Sequence, residues 1–90
     1  MTVDDFIESA EPYFHTYPFF EIEINRTVEA FGNITHVMST YESRKSPNGK
    51  PFARGINSIQ LYHDGSRWWI VSMIWDIERE GNQIPQRYLP

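Results

Sequence analysis

The 90-residue chain contains no cysteine, so disulfide staples, thiolate metal sites and cysteine nucleophiles are all excluded. Basic charge is also scarce: 8 Lys+Arg stand against 12 Asp+Glu, giving a formal charge of -4 and a pI near 5.2. With no basic patch to neutralise phosphates, nucleic acid is not an expected partner. No apolar run approaches the roughly 18 to 20 residues of a membrane span, and Met1-Thr2-Val3-Asp4-Asp5 does not read as a basic, apolar leader. The expectation is therefore a cytoplasmic protein with no membrane partner. The three histidines show neither His-x-x-x-His nor Glu-x-x-His spacing, so no metal is expected, and no motif calls for a cofactor.

Aromatic side chains, by contrast, are abundant: 3 Trp, 5 Tyr and 6 Phe make up 16% of the residues. They supply large buried surfaces to a chain that, at this length, hides only about 60 to 65% of its unfolded surface on folding. Residues 1–90 read as one domain, and so small a core points to help from a second subunit.

The pattern along the chain is a helix and then strands. Thr2 followed by Asp5 resembles a capping box, and Val3, Phe6, Ile7 and Ala10 fall near helical spacing, which predicts a helix over residues 3–14. Pro12 lies near its end, and Tyr17-Pro18 returns the chain to an extended form. From Phe19 the period becomes two: Phe20, Ile22, Ile24, Val28 and Ala30 alternate with Glu21, Glu23, Asn25, Thr27 and Glu29, a strand with one wet face. Phe31-Gly32-Asn33 reads as a turn, and Ile34 to Arg44 as a second strand. Asn48-Gly49 within the next loop is a hairpin signal, because both residues tolerate positive φ. A third strand runs from about Arg54 to His63, Asp64-Gly65 turns the chain, and Arg67 to Glu78 is a fourth strand carrying all three tryptophans. Gly81 to Pro90 is an aperiodic tail, expected to lie across a partner surface through Ile84, Tyr88 and Leu89. The fold class so predicted is α+β, an N-terminal helix followed by a curved four-stranded antiparallel meander.

A turn centred on Asn48-Gly49 would set Tyr41 opposite Asn57, Ser39 opposite Ile59 and Val37 opposite Leu61. A three-residue loop at Asp64-Gly65-Ser66 would then align Asn57 with Met73, Ile59 with Val71 and Leu61 with Trp69, continuing the same face to Trp75. A two-residue loop would instead present Trp68, Ile70, Ser72 and Ile74. The opposite face, with His36, Met38, Thr40, Ser58, Gln60, Tyr62, Ile70 and Ile74, is too apolar to be simply wet. One helix can cover only one face, so the other is expected to be hidden in a homodimer.

Several segments carry a family likeness: Phe19-Phe20-Glu21-Ile22-Glu23-Ile24, Phe31-Gly32-Asn33-Ile34-Thr35-His36-Val37, Ser39 to Arg44, Arg54 to Leu61, and Asp64-Gly65 leading into Trp68 to Ser72 and Trp75. The chain resembles the SnoaL-like branch of the nuclear transport factor 2-like superfamily from about residue 4 to 89, most specifically over Arg54 to Trp75. The resemblance implies a cone-shaped, cystatin-like α+β fold with a pocket in the cone, here incomplete because the usual first helices and first strand have no counterpart. In that family the ketosteroid isomerases place an oxyanion-stabilising acid eight residues before the turn glycine, and that position here is Asn57. An amide donates a hydrogen bond but is not a neutral carboxylic acid, so isomerase activity does not carry over.

Two groups are candidate catalysts. His36 is a possible general base, with a hydrogen-bonded sheet or dimer-face residue as the bland alternative. Asp76, two residues from Glu78, is a possible acid or base, the alternative being the solvated end of a strand paired with Arg26, Arg79 or another arginine. Ser39, Tyr41, Asn57, Ile59, Trp69, Val71, Met73 and Trp75 form the candidate ligand pocket, suited to a small apolar molecule with one or two polar handles, or else are simply core. Ser39 and Ser72 lack a neighbouring His-Asp signature. Three readings follow: a homodimeric SnoaL-like domain with a small apolar pocket and no evident catalytic set, an isomerase, dehydratase or cyclase using His36 or Asp76 as base, and a pure interaction module.

Overall fold

The computed structural model describes residues 20–90. Four strands, β1 (Phe20–Phe31), β2 (Ile34–Arg44), β3 (Pro51–His63) and β4 (Trp68–Ile77), form one antiparallel sheet in which each lies beside its sequence neighbour. The only helical element among the described residues is a 3-10 turn at Gln86–Tyr88. The expected α+β class is corrected accordingly: from residue 20 the side-chain period is two, so nothing in this stretch can bury a helical stripe. A meander in this order also leaves β1 and β4 as edges, so the described residues form an open sheet. The helix expected over residues 3–14 lies outside the described residues. No helix among them is long and apolar enough to cross a membrane.

The turns explain the registers. Gly32, at φ +55°, is the first of two residues linking Phe31 to Ile34, the position where a tight hairpin of matching twist needs a positive φ. Asn33 locks this turn to the next hairpin, its side chain donating to the His63 carbonyl (2.7 Å) and its carbonyl accepting from the His63 amide (2.9 Å). The β2–β3 turn is centred one residue earlier than Asn48-Gly49 suggests. The Gly49 amide donates to the Ser46 carbonyl (3.0 Å), with Pro47 and Asn48 as corner residues and no positive φ. Proline at the second position and glycine at the fourth suit such a turn. Val37 therefore faces Ile59, Ser39 faces Asn57 and Tyr41 faces Gly55, two residues from the expected pairing but with every side chain on its expected face.

Between β3 and β4, both anticipated loops are replaced by a four-residue one. The Asp64 amide donates to the Arg67 carbonyl (3.1 Å), and the Asp64 carboxylate caps the amides of Ser66 and Arg67 (2.8 and 3.0 Å). Tyr62 pairs with Trp69 and Leu61 with Ile70, then a bulge shifts the register so that Ile59 meets Met73 and Asn57 meets Trp75. One extra residue moves the side chains before it to the other face relative to those after it.

The buried apolar centre is Val37, Ile59 and Leu61, with Trp68 and Met73 packed against it. The tail does not leave the molecule, as expected of a segment held by a partner. It folds back as a strap over its own sheet. Thr40 Oγ1, on a fully buried residue, donates to the Tyr88 carbonyl (2.7 Å). Near the start of the strap, Glu78 accepts two bonds from Arg54 (2.9 and 3.2 Å) and one from the Ile84 amide (2.9 Å).

Candidate functional site

Residues opposite one another in antiparallel strands share a face, so the registers define two surfaces. The Ser39 face gathers Ser39, Tyr41, Asn57, Ile59, Met73 and Trp75, six of the eight expected pocket residues. Trp69 and Val71 fall on the other face because both precede or occupy the β4 bulge: Trp69 lies opposite Tyr62, and Val71 lines a hollow with Tyr62, Ile34 and His36. Trp69 is engaged locally, its indole Nε1 donating to Asp64 (2.7 Å) and its ring stacked under the Arg67 guanidinium at 3.4 Å.

The Ser39 face has a polar half that the sequence pattern conceals. A bulge at Ile24 changes the parity of β1, so Glu21 and Glu23 join Arg26, Val28 and Ala30 on this face, while Ile22 and Glu29 take the other. The two glutamates expected on a wet face are therefore half-buried beside the candidate site. Ser39 Oγ donates to Glu23, which also accepts from the Arg26 guanidinium (2.9 Å from Nε, 2.6 Å to Nη2). Asn57 Nδ2 points to Glu21 at 3.5 Å, a long and weak contact. Beside this row lie Met73, partly buried, and Trp75, 59% exposed. Glu23 and Arg26, three residues apart, share a face of a strand only across a bulge, and no residue type in Glu23-Ile24-Asn25 marks one.

On the other face, His36 Nε2 and Ser58 Oγ are 2.8 Å apart, a contact absent from the sequence reading because Ser58 was one of many polar residues on that surface. Asp76 is tied to Arg79 (2.7 and 3.3 Å) and approached by Asn82 (3.5 Å). The Arg79 bonds, joined by one from the Ile77 amide, hold its carboxyl below the usual range. Glu78 is likewise held low, by the Ile84 amide and by Arg54. Neither acid is prepared to accept a proton near neutrality. His36 and Asp76 do not converge either: they sit opposite Gln60 and Ile56, two strands and four residues apart, which is on the order of 16 Å. Among the described residues, no cluster of three or more His, Asp or Glu could hold a metal ion.

Compared with known protein families, curated proteins and solved structures, the chain matches none.

Proposed function

We propose that this chain is a SnoaL-like binding domain with no evident catalytic set that takes a small, mostly apolar ligand against its Ser39 face and works as a homodimer through the opposite face. One observation carries the ligand reading: Asn57, Met73 and Trp75, none of them buried, adjoin one another on a single face above the buried Ser39, Tyr41 and Ile59, an apolar edge with an amide handle. It is also what the resemblance of Arg54 to Trp75 to the SnoaL-like branch would imply. The dimer reading rests on apolar exposure across the His36 face, where Ile34, Val71 and Ile74 are 58%, 65% and 71% exposed. An enzyme reading is less well supported, since Asp76 is neutralised by Arg79 and lies far from His36.

A thermal-shift screen of small apolar carbonyl and aromatic compounds tests the first half. Stabilising compounds are expected, with the effect lost in Asn57→Leu and Trp75→Ala. Hits indifferent to both substitutions, or none at all, would remove the ligand reading. Light scattering tests the second half, and a monodisperse monomer across the micromolar range would remove the dimer.

A further inference from the structure

The His36 face is not flat, and its relief dictates how a second copy could sit on it. The strap covers the end around Thr40, where it is anchored through Tyr88, the last residue of the 3-10 turn that lies against β1. The other end is a half-open hollow of about 460 Å³ lined by Phe31, Ile34, His36, Gln60, Tyr62 and Val71. Half of the face is thus raised by one layer of chain and half is recessed. Two such surfaces cannot meet flush unless each raised part enters the other's recess.

We propose that the homodimer is a reciprocal clasp, in which each subunit's strap fills the hollow of the other. The arrangement rests on the dimer reading above and adds its geometry. A two-fold axis lying between the sheets and running across the strands, over the row Thr27, Met38, Ser58 and Ile74, exchanges the two ends of the face and keeps β1 over β1. Under that operation the strap segment anchored at Thr40 is carried over His36, two residues beyond the axis on the other side.

Area and charge both favour it. Four strands at about 4.8 Å spacing and about five residues of rise give the open half a footprint of roughly 300 Å² per copy. Open half against open half would bury only about 600 Å² in total, the size of an incidental contact. Adding both straps roughly doubles this, to about 1,200 Å², the lower limit of a stable interface. Charge marks the same register. Glu29, directly opposite His36 on β1, is exposed at the rim of the hollow. Arg87, next to the anchoring Tyr88 and exposed, has its guanidinium 4.8 Å from the Tyr88 ring and no carboxylate partner among the described residues. The axis carries Arg87 of the partner subunit toward Glu29, twice over by symmetry.

The test is a charge exchange read by sedimentation equilibrium on the full chain. Glu29→Arg and Arg87→Glu should each weaken the dimer about tenfold or more by opposing like charges, and E29R/R87E together should recover most of the loss. Both residues are exposed, so the variants keep the fold, which circular dichroism verifies. A wild-type dimer that ignores the single reversals, or a double variant no tighter than the singles, overturns the clasp and leaves the dimer reading standing. A monomeric wild type overturns both.

Discussion

Gly55→Ala should be among the most damaging single-methyl changes the sheet can suffer. Gly55 is buried between β2 and β4, and a Cβ there would lie 2.5 Å from the Asp76 carbonyl oxygen and 2.5 and 2.7 Å from Tyr41 Oη and Cζ. The Tyr41 ring is folded over the glycine opposite it, occupying the space a side chain would need. Overpacking a tight site costs about 1–3 kcal/mol. Because one of the clashing atoms is backbone, which yields least, the upper end applies. Alanine recovers about 0.5–1 kcal/mol through the lower entropy of its unfolded chain, leaving a net loss of about 2 kcal/mol. With a urea slope of about 1 kcal/mol/M, the unfolding midpoint should fall by about 2 M. In a Tyr41→Leu background the same substitution should cost less, since only the Asp76 contact remains, and the difference measures the part due to the ring. A Gly55→Ala variant within about 0.5 kcal/mol of wild type, a range ordinary for surface changes, would refute this account of the Tyr41 packing and of the β3 register behind it.

Thr40→Val removes the hydroxyl that holds the Tyr88 carbonyl; it should cost about 1 kcal/mol and speed amide exchange in the strap more than in β2 and β3, and unchanged strap exchange would contradict the anchor. Gly32→Ala places a side chain at φ +55° with no steric neighbour, so its loss of about 1 kcal/mol should come from backbone strain alone, and Gly32→Asn should cost less. The Trp69 indole, with the Arg67 and Ser66 amides, holds the Asp64 carboxyl at about 2. That value lies below its unfolded pKa, so the stabilisation is fully present above about pH 4 and is lost as pH falls through about 2. The indole N–H resonance of Trp69 should accordingly titrate near pH 2, and a midpoint near 4 would disprove the bond.

How much of this was legible in the sequence depends on which structural signal each feature leaves. The four strands and their order follow from period two between Gly and Pro turn residues, and β2 and β3 keep every side chain on the expected face. The β2–β3 register slipped by two because Ser46-Pro47-Asn48-Gly49 contains two competing signals. Asn-Gly suggests a turn with positive φ, whereas Pro47 fixes a corner with negative φ one position earlier, and the proline prevails. The tail's attachment to its own sheet was not legible, since it depends on Thr40 and Arg54, each more than twenty residues away in the chain.

The candidate site suffered from the same limitation in a sharper form. Period-two reasoning assigns a face by counting, so one uncounted residue inverts everything beyond it. At Ile24 it turned Glu21 and Glu23 from expected solvent residues into partners of Asn57 and Ser39, and at the β4 bulge it took Trp69 and Val71 to the opposite surface. Bulges concentrate where sheets re-aim side chains, and both of these act on the composition of the two faces. The first places acceptors on the Ser39 face, and the second adds Trp69 and Val71 to the His36 face. If the two faces do divide the work of binding and assembly, the bulges are what divide it. Deleting Ile24 should therefore give β1 unbroken pairing while leaving Glu23 opposite Tyr41 and Glu21 opposite Ser43, so that ligand stabilisation and the dimer should both survive it. Ligand stabilisation lost on that deletion would show that the bulge shapes the site by its bend and not by the face it gives Glu21 and Glu23.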